Sequence, residues 1–395
     1  MDSEKRIFGF SRNVFFLGLV SFFNDFSAEM VQSVMPAFLT VSLGAPAFFV
    51  GLIEGVADAT SSVLKLFSGW FSDKIGRRKL PAVLGYVLSV GVRPVFYLVS
   101  NFWQVFGLRM VDRVGKGFRD APRDALIAES APKNELGKSY GFHRSLDTLG
   151  ATLGPLFAFL LLPLLSGNYR KLFLVAFVIG LGAIFSFVFV KDKKRAGLVS
   201  KPPPKLNFGL IRTNKKFALI VFSIFIFGLG TLPILLLLLK AKEVGLSGEE
   251  LPLVYFIYSL TFVLTAIPLG RLADRVGERT VIAGGFLFAT IAYLGLARAQ
   301  SLPLTIFLFM ILGLYSAATD GLERSLAAKR LSPDVLATGQ GFLNMAIGFS
   351  SLFAGSIGGL LWTQWGSASA LIYAGGFSLL GLFLFLFMTK IGANA

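Results

Sequence analysis

Twelve runs of mostly apolar residues, each about 20 residues long, follow one another along this chain of 395 residues. A helix needs about that length to cross the hydrocarbon core of a bilayer, and lipid offers no hydrogen bonds to irregular backbone. The chain is therefore predicted to be an all-α membrane protein with 12 transmembrane helices. We call the runs spans 1 to 12, and they cover residues 13–40, 47–69, 80–99, 102–128, 139–163, 170–190, 216–239, 251–271, 280–299, 302–326, 336–361 and 368–389.

Composition narrows the classes of function. Hydrophobic residues make up 54% of the chain and charged residues only 15%, as in multi-spanning membrane proteins. The chain has no cysteine, which excludes disulfides and thiol chemistry, and its single histidine, His143, leaves no histidine cluster for a zinc site. No nucleotide-binding loop of the G-x-x-x-x-G-K-S/T type is present. We therefore expect neither an enzyme nor an ATP-driven pump, and we expect no metal or resident cofactor.

The basic residues predict the orientation in the membrane. The segments before span 1, between spans 2 and 3, 4 and 5, and 8 and 9, and between spans 6 and 7 are rich in Lys and Arg. All of them fall on one side of the alternation, and cytoplasmic loops carry such an excess. Both termini are therefore predicted to be cytoplasmic, in the plasma membrane of a prokaryote. The basic residues of the cytoplasmic segments then explain the net charge of +16, and no nucleic-acid partner is expected.

The chain repeats itself. Gly69-x-x-x-Asp73-x-x-Gly76-Arg77-Arg78, between spans 2 and 3, returns between spans 8 and 9 as Gly270-x-x-x-Asp274-x-x-Gly277. A second register aligns Asp120 with Asp320, a shift of 200 residues. A duplicated loop implies that the helices around it were duplicated as well. We predict two homologous six-helix bundles, residues 1–190 and 216–395, joined by a cytoplasmic linker at 191–215.

The duplicated loop resembles the signature loop of the major facilitator superfamily of transporters. The resemblance covers nearly the whole chain and implies the major facilitator fold and alternating access. It also implies that the loop is a latch between the cytoplasmic ends of helices, formed here by Gly69, Asp73, Gly76, Arg77 and Arg78 and, in the second copy, by Gly270, Asp274 and Gly277. Asp124 or Glu129 is the expected acidic partner of the arginines.

Charged residues inside spans 2 and 4 are candidates for the transport site. A charge at the centre of a membrane helix costs about 2.5–3.5 kcal/mol on insertion scales, so such residues must face protein or water. In span 2, Glu54 and Asp58 lie one turn apart on one face, and they form either a polar seam between helices or a substrate or proton site. In span 4, Arg109, Asp112 and Arg113 fall where proton-coupled members of the family have the motif R-x-x-Q-G-x-G. They are either functional or form internal salt bridges.

Spans 1 and 5 hold the remaining candidate carboxylates. Asp25 and Glu29 lie on one face of span 1, and Asp147 lies in span 5. Because removal from water favours the neutral form of a carboxylic acid, these residues are candidates for binding a proton. Asp25 or Glu29 could instead neutralise Arg109 or Arg113. In span 5 we favour Asp147 over His143 as a proton site.

Span 5 continues with Gly150-x-x-x-Gly154-Pro155, which resembles a packing motif of the antiporter branch of the superfamily. This resemblance favours a proton-coupled exporter of a small organic or amphipathic compound, driven by the proton gradient and working as a monomer in the lipid bilayer. The alternative is a proton symporter or facilitator for an anionic solute. Because the second half has few charges, we expect the first half to handle ions and the second to provide an apolar or aromatic wall for the substrate.

Overall fold

The computed structural model describes residues 6–75, 77–132, 135–192, 209–331 and 335–391. A short hairpin of β1 (Arg6–Ile7) and β2 (Phe10–Ser11) precedes the first helix. The helices follow in chain order: α1 Arg12–Ala37, α2 Ala47–Ile75, α3 Lys79–Val95, α4 Phe102–Ser130, α5 Leu136–Leu164, α6 Tyr169–Val188, α7 Gly209–Thr213, α8 Lys215–Gly228, α9 Ile234–Glu243, α10 Leu251–Val276, α11 Glu278–Arg298, α12 Leu302–Thr319, α13 Leu322–Ala328, α14 Leu336–Trp365 and α15 Ser367–Ile391. A π-helical turn at Phe38–Ser42 extends α1, and a 3-10 turn at Phe96–Leu98 follows α3.

The prediction of a helical membrane protein is confirmed. Within the described residues, ten helical segments are long and apolar enough to cross a membrane. Span 4 is not among them because α4 carries many charges, and span 7 is not because it is two short helices. The prediction of span 7 as one continuous helix was wrong. Gly230 and Pro233 fall between α8 and α9, and neither residue favours a helix interior.

Span 10 is also interrupted. Helix α12 ends at Thr319 and α13 begins at Leu322, with Gly321 between them at a φ of 84°. This left-handed conformation suits glycine, which has no Cβ to clash with the following carbonyl oxygen. Asp320 and Gly321 therefore form a break in span 10, between the apolar helix α12 and the short helix α13, which begins with Leu322, Glu323 and Arg324.

The structure divides into two compact units, and unit 1 comprises Met1–Met35 and Val63–Pro204. Here α3 packs closely on α4, since a Cβ on Gly85 would lie 2.5 Å from the carbonyl oxygen of Gly115. Tyr86, which follows Gly85, belongs together with Val14 and Leu17 to an apolar cluster of buried side chains. The close approach at the two glycines brings the charged face of α4 against α3 and α1.

Unit 2 comprises Pro36–Ser62 and Lys205–Ala395. Its first segment packs on α14 through two pairs of glycines that are four residues apart, Gly51 and Gly55 in α2 and Gly355 and Gly359 in α14. A Cβ on Gly55 would lie 2.9 Å from the carbonyl oxygen of Ser351, and a Cβ on Gly359 would lie 2.9 Å from the Cα of Phe48. Gly51 and Gly355 also approach each other closely. Such small-residue pairs allow the backbones of membrane helices to touch.

The predicted boundaries of the two halves remain predictions. Most of the predicted linker lies outside the described residues, which resume at Gly209. Residues 36–62, which we predicted to belong to the first half, are part of unit 2.

Candidate functional site

A network of buried polar side chains connects α1, α3 and α4 in unit 1, and Asn24 is at its centre. The guanidinium of Arg93 donates to the side-chain oxygen of Asn24 at 2.8 Å and to Ser27 Oγ at 2.7 Å. Arg119 donates to the same Asn24 oxygen at 3.3 Å, and its guanidinium lies 4.4 Å from the ring centre of Tyr86. Arg93 is 3% exposed and Arg119 is 5% exposed. Two arginines can be buried side by side because oxygen acceptors and an aromatic face surround them.

The predicted residues of span 4 are engaged inside the protein. Arg109 donates to Gln32 Oε1 at 2.6 Å and lies 3.5 Å from the carboxylate of Asp112. Arg113 is 9% exposed. The backbone carbonyl of Asp112 accepts a hydrogen bond from Ser89, which ties α4 to α3. For Arg109, the structure therefore has the internal ion pair that was one of the two interpretations of this motif.

A second ion-pair cluster surrounds Asp120 further along α4. Its carboxylate lies 3.0 Å from Lys65 Nζ, 3.8 Å from Arg119 Nε and 3.6 Å from Arg123 NH1. Arg123 also pairs with Asp124 at 2.8 Å. Three cations from two helices thus neutralise a half-buried carboxylate, which is the arrangement expected where charges are removed from water.

Two predicted carboxylic acids meet between α1 and α5. The carboxyl groups of Asp25 and Asp147 lie close enough to act on each other electrostatically. Asn24 Nδ2 donates to Asp25 at 2.7 Å, Arg119 lies 3.9 Å from Asp25, and Arg144 lies 3.0 Å from Asp147. Two neighbouring carboxylates repel each other, and a proton on one of them removes this repulsion. The arrangement is therefore suited to holding one proton.

The glycine motif of span 5 brings α5 into contact with α1 and so positions Asp147 next to α1. Gly150 and Gly154 lie against the backbone of α1, where a Cβ on Gly154 would be 2.5 Å from the carbonyl oxygen of Phe26. Pro155, which follows directly, is buried. Asp147 lies one turn before Gly150 and so on the face of α5 that touches α1.

Three other candidate carboxylates lie elsewhere. Glu29 is half-buried on α1, one turn from Asp25. Glu54 and Asp58 belong to unit 2, where Glu54 is 3% exposed and Asp58 accepts a hydrogen bond from Ser351 at 3.3 Å. His143 is buried and lies 2.7 Å from Ser21 Oγ, so its ring is held in place by a side chain of α1.

The sequence Gly137-Lys-Ser139-Tyr-Gly141 matches G-x-S-x-G, so the expectation that this hydrolase pattern is absent from the chain was wrong. In hydrolases this pattern forms a sharp turn between a strand and a helix, which exposes the serine. Here it lies inside α5 and Ser139 is 3% exposed. Ser139 therefore does not lie on such a turn, and its hydroxyl is not exposed as that of a nucleophilic serine would be.

The predicted latch is described in part. Gly69 and Asp73 lie in α2, but the side chain of Asp73 and all of Gly76 lie outside the described residues. Arg77 is exposed, and Arg78 Nε lies 3.3 Å from Glu129 Oε1 at the end of α4. Of the two acidic partners considered, Glu129 is the one that contacts this arginine.

The second copy of the loop pairs different residues. Gly270 lies in α10, Asp274 is exposed, and Gly277 joins α10 to α11 at a φ of 92°. Glu278 Oε1 lies 3.0 Å from Lys329 Nζ. In the register of the duplicated loop, a shift of 201 residues, Glu278 aligns with Arg77, and in the register with a shift of 200 residues Lys329 aligns with Glu129. Each loop is thus joined by an ion pair to a later segment of its own repeat, with the acidic partner on the loop in the second repeat.

Arg93 is the functional candidate that the sequence analysis missed. It is the only charged residue in span 3, and a lone charge among apolar residues of a span is itself a sign of an inward-facing side chain. Glu323, near the end of span 10, was not among the predicted site residues.

The chain matches the family model of the Major Facilitator Superfamily over residues 17–240 and 227–393. It is similar to an MFS-type transporter of Methanocaldococcus jannaschii, with 33% identity over 360 residues and 89% of each chain covered. It is 25% identical over 306 residues to the multi-drug resistance efflux pump PmrA of Streptococcus pneumoniae, covering 74% of each chain. The multidrug resistance protein MdtG of Escherichia coli is 24% identical over 326 residues, which are 78% of this chain and 77% of MdtG.

Solved structures share the fold at low identity. A POT family transporter in complex with a thioalcohol-conjugated peptide superposes with a TM-score of 0.83 at 15% identity, over 98% of each chain. A bacterial homolog of the human lysosomal transporter Spinster, in an inward-facing and unoccupied conformation, gives a TM-score of 0.74 at 14% identity, over 95% of this chain and 96% of that one. At such identities the likeness concerns the fold alone.

Proposed function

Because this chain belongs to the major facilitator superfamily, and so is a multi-pass membrane transporter for a small molecule, we propose that it exports a small organic or amphipathic compound in exchange for protons. Alternating access is the proposed mechanism and the proton gradient the proposed energy source, with no resident cofactor. We place the protein in a prokaryotic plasma membrane, as a monomer with both termini in the cytoplasm.

The proximity of the Asp25 and Asp147 carboxyl groups carries the proton-coupling part of the proposal. Loss of the proton would leave two neighbouring carboxylates, and two like charges about 4 Å apart repel by about 4 kcal/mol at an effective dielectric constant near 20. This value is an upper limit, because Arg119 and Arg144 stand beside the pair and offset part of the repulsion. The contact between α1 and α5 therefore differs in energy between the protonated and deprotonated states.

This energy difference is what a proton-driven transporter needs. A proton can shift a conformational equilibrium only by its differential affinity for the two states. Deprotonation favours a state in which Asp25 and Asp147 separate or draw a cation closer, and protonation favours the paired state. The glycine contacts of Gly150 and Gly154 fix the paired state, since they hold α5 directly against α1.

Export, rather than import, is supported by the relatives. Two of the proteins similar to this chain are described as a multi-drug resistance efflux pump and a multidrug resistance protein. Import of an anionic solute, the alternative, depended on the net basic character of span 4, from Arg109, Arg113 and Lys116. Arg109 is instead engaged by Gln32 and Asp112, which gives that alternative less support.

The test is proton movement in proteoliposomes that contain the purified protein and a pH-sensitive dye. The probes are ethidium, Nile red and fluorescein, which are amphipathic compounds of positive, zero and negative charge. The variants are Asp147→Asn and Asp25→Asn, since an amide can donate to the remaining carboxylate and so mimics the protonated pair without being able to release a proton. Glu249→Gln, on the loop before α10, is the matched control.

We expect the wild type and Glu249→Gln to move protons when a probe is transported. Asp147→Asn and Asp25→Asn are expected to lose proton movement while still exchanging labelled probe across the membrane. Probe transport without proton movement in the wild type, or full proton movement in both Asn variants, would refute coupling at this pair. Proton-driven uptake of fluorescein alone would favour the symporter.

A further inference from the structure

Unit 2 contains a cavity of about 270 Å³, close to the lower end of the range for small-molecule sites. Residues of α2, α8, α12, α13 and α14, all within unit 2, line it. Phe227 and Tyr315 form an aromatic part of the wall, and Ser316 and Thr319 add hydroxyl groups. The cavity is therefore built like a binding site for a compound with an apolar body.

The cavity lies at the two interrupted spans. Helix α8 ends beside it at Gly228 and α12 ends beside it at Thr319. The C-terminal end of a helix carries partial negative charge from its aligned carbonyl groups. Interrupted helices of this kind form ion and substrate sites in transporters. Two helix C-termini at one cavity favour a positively charged ligand.

A buried carboxylate faces this space. Glu323 of α13 is 9% exposed and lines the cavity, and the charged groups that act on its carboxylate are those of Asp320 and Arg324, which line the same cavity. Asp58 of α2 also lines the cavity, where Ser351 donates to it. Three acidic residues therefore face one basic residue at the cavity, and a cation would offset the excess of negative charge, since burying a charged group is costly unless it is paired.

Comparison of the two repeats shows which charge is missing. Around Asp120 in unit 1, the three cations are Lys65, Arg119 and Arg123. In the register of the duplicated loop, a shift of 201 residues, Lys65 aligns with Ala266, and in the register of span 4, a shift of 200, Arg119 and Arg123 align with Thr319 and Glu323. The second repeat therefore has no cation at these three positions and has a carboxylate at one of them. Arg324, which also lines the cavity, is exposed.

We propose that this cavity binds a small organic cation, with Glu323 and Asp58 as counter-ions and Phe227 and Tyr315 against its apolar body. Aromatic faces attract cations by their electrostatic field, so the wall suits the charge as well as the apolar part. The inference rests on the proposed function in naming the class of compound that the transporter carries. It does not depend on proton coupling.

The test is equilibrium dialysis of the detergent-solubilised full-length protein against labelled probes, without a gradient. The probes are benzyltrimethylammonium, its neutral isostere neopentylbenzene, and 3-phenylpropionate as an anion. We expect the wild type to bind the cation in preference to both others. Glu323→Gln should weaken cation binding by about tenfold or more, the effect of removing one partly buried charge from a pair. The Glu249→Gln control should bind as the wild type does.

Two further variants keep the test decisive if Glu323→Gln does not fold. Asp58→Asn should also weaken cation binding, and Glu323→Asp should retain most of it. Ala266→Lys places an ammonium group at the position that aligns with Lys65 of the first repeat, and it should block the cation without an effect on the melting temperature. Equal binding of the cation and its neutral isostere, preference for the anion, or no binding of the cation would overturn the proposal.

Failure of this proposal can be separated from failure of the proposed function. Cation binding that Glu323→Gln removes, in a protein that moves no protons, would support the site and refute proton coupling. Proton movement that depends on Asp147, in a protein whose cavity does not distinguish the cation from its isostere, would do the reverse.

Discussion

The ion pairs of the two duplicated loops have opposite polarity, which predicts that the charges can also be exchanged within one repeat. Arg78 pairs with Glu129 in unit 1, and in unit 2 Glu278, one position before the equivalent of Arg78, pairs with Lys329. We expect Arg78→Glu and Glu129→Arg each to destabilise the protein, because each variant places two like charges at the contact. The double variant should recover most of the loss.

The magnitude follows from distance and exposure. Two unit charges about 4 Å apart interact by about 4 kcal/mol at an effective dielectric constant near 20, which is an upper limit here. The side chains of Arg78 and Glu129 are 13% and 24% exposed, so water screens them in part. Exposed ion pairs contribute about 0.2–1 kcal/mol. We expect a coupling energy between the two substitutions of about 1–2 kcal/mol, above the exposed range because the pair is half-buried.

The assay is the free energy of unfolding in mixed micelles of dodecyl maltoside and sodium dodecyl sulfate, followed by tryptophan fluorescence. The chain has four tryptophans and no cysteine, so it needs no label and cannot form disulfides during unfolding. The matched cycle is Glu278→Lys with Lys329→Glu. Its recovery should be less complete, since Ser325 also donates to Glu278. A coupling energy of zero in the first cycle would show that the ion pair between Arg78 and Glu129 does not stabilise the protein.

Two further predictions concern unit 1. Gly154→Leu should lower the free energy of unfolding by about 1–3 kcal/mol, or force α5 away from α1, because its side chain would enter the backbone of α1; unfolding in the same micelles measures it, and an unchanged stability with proton movement intact would contradict the packing role. Arg93→Met should cost about 1–3 kcal/mol, since it removes the charged donor from buried oxygens of Asn24 and Ser27. Arg93→Lys should restore little of this, because one ammonium group does not reproduce the planar fork of the guanidinium, and full restoration by lysine would show that charge alone matters there.

The helices could be predicted because length and apolar content decide whether a segment spans a membrane. The breaks at Gly230 and Gly321 could not be predicted with the same rule. Both are short interruptions inside apolar stretches, and an average over about 20 residues conceals them. Glycine and proline near residue 230 were the available signal, and only the structure shows that both breaks open onto one cavity.

The site could be predicted in its residues but not in its pairs. Helical spacing alone places Asp147 on the same face as Gly150 and Gly154, which are the residues that touch α1. It does not say which residue of α1 lies opposite, because that depends on how far one helix is shifted along the other. Asp25 and Glu29 were therefore equal candidates from the sequence. Of these two residues, Asp25 is the one that lies beside Asp147 in the structure.

The two repeats differ in the residues that surround equivalent positions of spans 4 and 10. In unit 1, Asp120 is enclosed by cations of the protein itself. In unit 2, the aligned positions carry Ala266, Thr319 and Glu323, of which Thr319 and Glu323 line a cavity. Charge counting along the sequence makes the second half appear simply poorer in ions, yet the residues that it lacks at these positions are cations. The proposed cation site follows from this difference, because a buried charge that is already paired has little to gain from another partner.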